Sequence, residues 1–485
     1  MRLLIITLVA STLFWSCETA DPIEEQHDIT LSGIVTNPKG ESVTVRGPKD
    51  FKVEALLDST GYFAVEFNLE NPGFYSFRHG GENSTMYLYP GYEINITLET
   101  GEFDETLTYE GPGSEYNNYL AGLYLLDEDL AKENPYQERY LADAPTFAAK
   151  AAYDTSQKIK YAKQIGQKMK LDQEFVEEQC MGFRYEEYIA LADYPMGAAY
   201  YQEIDIEDIE VPEGYLTIGD ELPMDNEAML EHQTYLRYVK SRLRTATKDE
   251  IAVMEEAGEN VSNELLAHSL KMKLVDKILT TEKVKNHFLQ AAMMDAVTQS
   301  GTQDLTELVA EFKTLCSNQE CITAVEEEVA SWGHLWEGKP APGFEYASID
   351  GDQVSLASLN GTAVYIDVWA TWCGPCRREI PHLKDLEHDM HGQNVAFVSV
   401  SVDEDKEAWK AMVADKELGG IQLFGDAAWE SSICENYKIM GIPRFILIGP
   451  DGNIISADAP RPSSGEEIRE MIESAMYGDN LAIAE

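Results

Sequence analysis

The chain has 485 residues, which corresponds to about three domains at ~150 residues each. Its 86 acidic and 37 basic side chains give a formal net charge of −49, which repels phosphate backbones and excludes nucleic-acid binding. At 44% hydrophobic and 10% aromatic residues the chain can bury sizeable cores, so a disordered protein is excluded. Beyond the first 16 residues no apolar run approaches the ~20 residues of a membrane span, which excludes a polytopic membrane protein.

The amino terminus has the pattern of an export signal. A basic residue precedes a 13-residue, mostly apolar stretch that is too short to span a bilayer. Cleavage between Ser16 and Cys17 would place the thiol where a lipoprotein precursor is acylated, and the site resembles the lipobox of Bacteroidetes lipoproteins. We expect residues 1–16 to be a lipoprotein signal peptide and residues 17–28 an acidic tether. Ordinary secretion, with Cys17 incidental, is the alternative.

Residues 29–105 alternate apolar and polar side chains with a period of two. Turn sequences rich in Asn, Asp, Pro and Gly separate the runs, for example at residues 37–40 and 71–73. Short strands at this spacing predict an antiparallel β-sandwich. The hairpin at residues 58–63 resembles one in the amino-terminal β-domain of many Bacteroidetes lipoproteins.

Residues 106–336 are expected to form an α-helical domain. Long stretches such as 146–165 and 263–300 contain neither Pro nor Gly, and Leu305, Leu308 and Phe312 fall on one helical face. The His residues of this region are dispersed and lack the spacing of metal ligands. The expected role is docking or dimerisation into a homodimer.

Residues 337–485 begin with a Pro- and Gly-rich entry and then alternate apolar runs with helical patterns. The apolar runs are 363–368, 395–402 and 445–448, and the helical patterns are 379–390, 407–415 and 465–476. Apolar runs separated by helices predict an α/β domain with a mostly parallel sheet that is covered on both faces.

The seven cysteines become six if Cys17 carries lipid, and an exported protein can keep disulfides. Cys316 and Cys321 flank a Ser-Asn-Gln-Glu turn and are candidates for a small-loop structural disulfide. Cys180 and Cys434 are expected to be buried thiols rather than a pair.

Cys373 and Cys376 form a Cys-Gly-Pro-Cys motif between the apolar run 363–368 and a helical pattern. A sulfur at such a junction lies among unpaired helix N–H groups at the positive end of the helix dipole, which favours thiolate. A decrease in thiol pKa from ~8.5 to ~7 raises the thiolate fraction at pH 7 from about 3% to about half. Cys373 is therefore the expected nucleophile, and Cys376, one helical turn deeper, the resolving cysteine.

These residues and the sequence Gly441-Ile442-Pro443 resemble the thioredoxin fold in its TlpA/ResA-like extracytoplasmic branch, over about 150 residues from Gly338. The resemblance implies a cis-proline loop that faces the two cysteines. It implies that Asp367 is the buried acid that assists Cys376, and that Glu379 is an acid found after the motif in several such reductases. The implied substrate contacts are Trp372, Gly374, Pro375, Ile442 and Pro443.

Each of these residues also has a purely structural interpretation. Asp367 would then be a hydrogen-bonded polar group on a strand, Glu379 an acid that complements the helix dipole, and Trp372 a packing residue. Two positions depart from the family pattern: Arg444 replaces Thr, which would favour acidic partners, and Gly449 replaces Asp.

The function implied is reduction of protein disulfides outside the cytoplasm by a periplasm-facing lipoprotein on the inner or outer membrane. The Gly-Pro dipeptide is that of thioredoxin, whose potential is about −270 mV, against about −120 mV for strong oxidants. The redox centre is the Cys373–Cys376 disulfide, with no cofactor and no metal. The resemblance also implies a membrane electron donor of the DsbD/CcdA type and a role in cytochrome c maturation.

Three alternatives remain. A zinc site needs two further ligands, and His388 and His391 are too closely spaced. A thiol peroxidase needs Pro and Thr or Ser where the chain has Ile366 and Ala370, so it is disfavoured. The third is a non-enzymatic, partner-binding envelope lipoprotein.

Overall fold

The computed structural model describes residues 29–48, 51–69, 71–263, 265–301 and 303–477. The expected signal peptide, Cys17 and the tether lie outside these ranges. The chain forms two compact units. The first extends to Leu222 and includes Glu231–Tyr238, and the second comprises Pro223–Leu230 and the chain from Val239 onward. Among the helices of the described ranges, none has both the length and the apolar character required for a bilayer span.

The first unit begins with eight strands, which form two four-stranded sheets, and one short helix. In chain order they are β1 (Ile29–Thr36), β2 (Ser42–Arg46), β3 (Lys52–Leu56), β4 (Tyr62–Phe67), β5 (Gly73–His79), β6 (Glu82–Leu88), β7 (Tyr92–Glu99), α1 (Phe103–Thr106) and β8 (Thr108–Glu110). One sheet has the order β4-β1-β7-β8 and the other β3-β2-β5-β6. Leu31 and Ile96 from the first sheet and Val45 and Phe77 from the second belong to one hydrophobic cluster.

The prediction of a purely antiparallel architecture is wrong for the first sheet. β1 and β7 pair in parallel along their full length, from Ile29 opposite Tyr92 to Thr36 opposite Glu99. Parallel neighbours need a long crossover connection. The strands of the second sheet lie between β1 and β7 in sequence and provide that connection, which the alternation of side chains along each strand does not reveal.

Ten α-helices follow within the described ranges, which confirms the predicted helical region. They are α2 (Ser114–Glu133), α3 (Tyr136–Leu141), α4 (Ala144–Met169), α5 (Gln173–Gln202), α6 (Ile218–Glu221), α7 (Gln233–Glu256), α8 (Leu266–Ile278), α9 (Glu282–Ser300), α10 (Thr306–Leu315) and α11 (Gln319–Trp332). The division into compact units falls within this region, so the expected bounds of a single helical domain, 106–336, stay a prediction.

The stretch 263–300 contains a helix break although it lacks Pro and Gly. α8 ends at Ile278 and α9 begins at Glu282. Between them, the backbone N–H groups of Thr280 and Thr281 donate to Asp225 at 2.8 and 2.9 Å, and the Thr280 hydroxyl donates at 2.7 Å. A carboxylate 55 residues earlier in the chain therefore satisfies the backbone donors of the link between the two helices, including that of Thr281, the N-cap of α9.

The carboxy-terminal domain contains a seven-stranded sheet of order β10-β9-β13-β12-β11-β14-β15. Its elements in chain order are β9 (Glu345–Ser348), β10 (Gln353–Ser355), β11 (Ala363–Trp369), α12 (Gly374–Asp389), β12 (Val395–Ser401), α13 (Lys406–Asp415), β13 (Ile421–Phe424), α14 (Ser432–Asn436), β14 (Arg444–Ile448), β15 (Ile454–Ser456) and α15 (Glu466–Tyr477). These elements agree with the predicted apolar runs and helical patterns.

The prediction of a mostly parallel sheet is wrong, because the sheet is mixed. Only β11 with β12 and β12 with β13 pair in parallel, and in each case a helix forms the crossover. The outer pairs β9–β10 and β14–β15 are antiparallel, since their short connections permit only a hairpin.

β11 is central, paired with β12 on one side and β14 on the other. All seven of its residues are buried. Its side chains Ala363 and Tyr365 pack in one cluster with Leu386 from α12 and Ile472 from α15. The strand is therefore a fixed base from which the loop to α12 departs.

Candidate active site

Cys373 lies where the loop after β11 becomes α12. It is the N-cap of the helix, and its Sγ accepts a hydrogen bond from the Cys376 N–H at 3.1 Å. Pro375 lies in the first turn, where a missing N–H costs nothing. Cys373 and Cys376 form a disulfide, with their Cα atoms 5.3 Å apart. They are 4% and 3% exposed, so only the edge of the disulfide reaches solvent.

The loop before β14 lies beside this disulfide. The Cys373 Sγ is 3.8 Å from the carbonyl oxygen of Ile442, and the Ile442–Pro443 peptide bond is cis. Both residues are partly exposed. The structure therefore brings two of the predicted substrate contacts to the disulfide, although they lie about 70 residues away in sequence.

Trp372 precedes the motif and points outward. It is 58% exposed, and its ring centroid lies 6.2 Å from that of Trp429. A side chain this exposed is not part of the buried core. Gly374 is partly exposed and Pro375 exposed, so both also border solvent.

Asp367 is buried on β11, opposite Ser399 of β12 and Phe445 of β14. Burial and, to a smaller extent, the nearby charge of Glu379 raise the pKa of Asp367 to about 8, whereas a hydrogen bond with Ser399 opposes the shift. At neutral pH this carboxyl group mostly holds a proton, and it titrates close to the pH range in which a general base is useful.

Glu379 is buried in α12 and is held by one residue. The Ser463 N–H donates to its Oε2 at 3.0 Å, and the Ser463 hydroxyl donates to its Oε1 at 2.9 Å. The Glu379 side chain is therefore directed into the domain. It is not an exposed acid whose role is only to complement the helix dipole. Ser463 was not predicted, because its contact with Glu379 spans 84 residues.

Sequence reasoning also missed Asp403, which follows β12. Its buried carboxylate accepts from the Thr371 N–H at 3.0 and 3.1 Å, from the Thr371 hydroxyl at 2.7 Å and from the Ser401 hydroxyl at 2.7 Å. Thr371 is two residues before Cys373, so this carboxylate fixes the loop that leads to Cys373. The signal available in the sequence was an acid directly after a buried strand of a parallel pair.

Two expectations about charged and sulfur groups are corrected. The Arg444 guanidinium forms an ion pair with Asp458 at 2.7 Å, so its charge is already neutralised within the domain. Cys316 and Cys321 are free thiols rather than a disulfide. Cys316 ends α10 and its Sγ contacts the Asn318 carbonyl, whereas Cys321 lies in α11, which Asn318 caps.

Cys180 and Cys434 are free as well. Burial raises the thiol pKa of Cys180, Cys321 and Cys434. These thiols are therefore poor nucleophiles at neutral pH, because the thiolate is the reactive form.

A buried strand that leads into a cysteine-capped helix, with a cis-proline loop against the sulfur, defines the carboxy-terminal domain as that of a thioredoxin-fold thiol–disulfide oxidoreductase. Residues 338–457 match the model of the AhpC/TSA family. The thiol–disulfide oxidoreductase ResA of Bacillus thuringiensis subsp. konkukian is 29% identical over 136 residues, which are 28% of this chain and 74% of the relative. The expected family and enzyme class are thereby confirmed.

Solved structures from Bacteroides vulgatus are also similar. A chain described as a thiol–disulfide oxidoreductase is 38% identical and matches 30% of this chain and 99% of its own length, with a TM-score of 0.28. The thioredoxin domain of another thiol–disulfide oxidoreductase is 28% identical and matches 28% of this chain and 95% of its own length, with a TM-score of 0.26. Both matches cover less than a third of this chain.

Replacement of Asp403 by Asn tests its role as an anchor. The amide offers one acceptor oxygen in place of two and directs N–H donors at other donors, so we expect a loss of about 2–4 kcal/mol of stability. We also expect the reduced protein to show several-fold slower alkylation of Cys373 at pH 7, measured by mass spectrometry. Asp405→Asn is the matched control: Asp405 caps α13, Asn caps helices about as well as Asp, and the change should therefore cost well under about 1 kcal/mol without affecting Cys373. Equal alkylation in both variants would contradict the anchoring role.

Replacement of Asp367 by Asn tests its raised pKa. Between its ordinary pKa of about 4 and its native value of about 8, the native state holds a proton that the unfolded state has released. Wild-type stability therefore decreases as pH rises through this range. The Asn variant lacks this decrease. Its free energy of unfolding minus that of the wild type should therefore increase by up to several kcal/mol between pH 5 and pH 8. Urea unfolding of the oxidised proteins measures this difference. A difference that does not vary with pH would show that Asp367 titrates normally.

Proposed function

We propose that this protein reduces protein disulfides outside the cytoplasm, with Cys373 as nucleophile and Cys376 as resolving cysteine. The observation that carries the proposal is the position of Cys373 at the N-cap of α12, disulfide-bonded to Cys376 and 3.8 Å from the Ile442 carbonyl. Donors and a helix dipole that favour negative charge surround the attacking sulfur. The loop beside it offers backbone groups to an incoming peptide.

The reaction begins with the reduced protein. The Cys373 thiolate attacks one sulfur of the substrate disulfide, that disulfide breaks, and the departing substrate thiolate takes up a proton. Cys376 then loses its proton and attacks the Cys373 sulfur, which forms the Cys373–Cys376 disulfide and releases the second substrate thiol. Two electrons and two protons pass to the substrate, and the protein is left in the oxidised form that the structure describes.

The ionised fraction of Asp367 is the proposed acceptor of the Cys376 proton. Its burial on β11, the strand that leads into the motif, and its pKa of about 8 support this role, because a general base is most effective when its pKa is near the working pH. Glu379 is proposed to assist from α12, where its charge helps to raise the pKa of Asp367.

The electrons for re-reduction are proposed to come from a membrane donor of the DsbD/CcdA type, and cytochrome c maturation is the proposed use. Both follow from the resemblance to TlpA/ResA-like proteins, as does a periplasm-facing location. Lipidation of Cys17 would tether the chain to the membrane. For the amino-terminal strands we propose a β-sandwich, supported by the single hydrophobic cluster to which both sheets contribute.

A Cys376→Ser variant is expected to trap substrates. Cys373 can still attack, but the mixed disulfide cannot be resolved, so partner proteins should accumulate in covalent complexes that are visible on non-reducing gels and identifiable by mass spectrometry. The Cys373→Ser/Cys376→Ser double variant should trap none, and Cys180→Ser should behave as wild type. Trapping by the double variant would assign the attack to another thiol.

The midpoint potential tests the direction of electron flow. We expect a value below about −150 mV, closer to the −270 mV of thioredoxin than to the −120 mV of strong oxidants, because the Gly-Pro dipeptide is that of thioredoxin. Equilibration in glutathione buffers, followed by alkylation and mass analysis, measures the reduced fraction. A higher potential would identify an oxidase instead.

A further inference from the structure

The surface around the disulfide exposes three large apolar side chains. Trp372 is 58% exposed, Trp429 41% and Met440 68%. Trp372 and Trp429 are close to each other, and Met440 is two residues before Ile442, whose carbonyl touches the Cys373 sulfur. Apolar groups that remain exposed together next to a reactive centre are typical of an interaction site.

Two arginines lie at the same site without an ion pair. Arg377 and Arg378 are exposed in the first turn of α12, and within the described ranges neither has a carboxylate within salt-bridge distance. A Cβ atom built on Gly374 would be 4.0 Å from the Nη1 of Arg378, so this guanidinium lies near Gly374, one of the two residues that separate the cysteines.

The position of these arginines is electrostatically unfavourable within the free chain. A helix N-terminus carries partial positive charge and normally attracts acids rather than cations. The chain has 86 acids for 37 bases, and several other arginines pair with carboxylates, as in Arg139 with Asp154 and Arg469 with Asp389. Two adjacent cations without such a partner at a helix N-terminus are therefore available to a negative group that a partner supplies.

We propose that this docking face, formed by Trp372, Trp429, Met440, Arg377 and Arg378, selects disulfides in acidic polypeptide segments with an apolar residue beside the cysteine. The inference rests on the proposed function, since it names the substrate class of the same site. The apolar residue would cover the indoles, and the acidic residues would pair with the two guanidinium groups. Asp426 and Glu430 flank Trp429 in sequence and are exposed, so they would repel acidic residues of the substrate. The acidic residues of the substrate therefore belong next to the two arginines.

The test compares two disulfide peptides with the pre-reduced full chain. Both contain Leu next to the cysteine, and two neighbouring positions are Glu in one peptide and Lys in the other. We expect the Glu peptide to be reduced about fivefold to tenfold faster in single-turnover measurements, as two exposed ion pairs allow. The ratio of the two rates cancels any change in the intrinsic reactivity of Cys373.

Charge reversal then assigns the selectivity. R377E/R378E should reverse the preference, so that the Lys peptide becomes the faster substrate. R469Q is the matched control, since it removes a positive charge next to Asp389, the last residue of α12, and should leave the preference unchanged. W429A should reduce the advantage of Leu over Gly beside the peptide cysteine without affecting the preference for acid.

The outcomes separate this inference from the proposed function. Equal rates for the Glu and Lys peptides would overturn the acidic selectivity while leaving disulfide reduction intact. A preference that persists in R377E/R378E would overturn the assignment to these arginines. Reduction of neither peptide, nor of a small neutral disulfide such as hydroxyethyl disulfide, would instead contradict the proposed reductase.

Discussion

The active site depends on how rigidly the Cys373 sulfur is held at the first turn of α12. On one side the Cys376 N–H donates to it, and on the other the Asp403 carboxylate holds Thr371 through its N–H and its hydroxyl. The strand that supplies this loop is hydrogen-bonded to a neighbour on both sides, so it cannot shift without breaking two ladders. A nucleophile placed on such a base keeps its geometry through the cycle, as catalytic groups on regular elements generally do better than groups on free loops.

The two buried acids near the motif have different environments. Ser463 donates two hydrogen bonds to Glu379. Asp367 has lost its hydration and lies within reach of the Glu379 charge, with Ser399 as its compensating partner. Burial and a neighbouring negative charge both favour the protonated form of a carboxyl group, which is why the pKa of Asp367 is raised to about 8.

The sequence was sufficient for features that depend on local pattern. The helical and apolar periods located the elements of the carboxy-terminal domain, and the Cys-Gly-Pro-Cys motif predicted the two cysteines that the structure joins in a disulfide at the start of α12. Contacts between distant parts of the chain were not predictable in the same way. Asp403 and Ser463 reach the site from 32 and 84 residues away, and one sequence alone does not indicate such pairings.

The wrong predictions have the same origin. The parallel pairing of β1 with β7 depends on the path of the intervening strands, whereas the periodicity within each strand is identical for either direction. The spacing of Cys316 and Cys321 permitted a disulfide. In the structure Asn318 is the N-cap of α11, so the two cysteines lie on either side of a helix start and are not bonded to each other. Arg444 was expected to favour acidic partners, but its guanidinium forms an ion pair with Asp458 of the same domain.

The positive groups around Cys373 have two effects that follow from one cause. Helix N–H groups and unpaired guanidinium groups stabilise a thiolate, whereas burial among apolar groups raises the thiol pKa of Cys180, Cys321 and Cys434 and suppresses their reactivity. The same positive potential attracts acidic segments of a partner, although the whole chain is strongly acidic. Because charges at a distance are screened beyond about 10 Å at moderate salt, the local cations rather than the net charge of −49 govern the last step of docking. Reactivity and selectivity are thus concentrated at one helix terminus, which separates the redox centre from the other thiols of the chain.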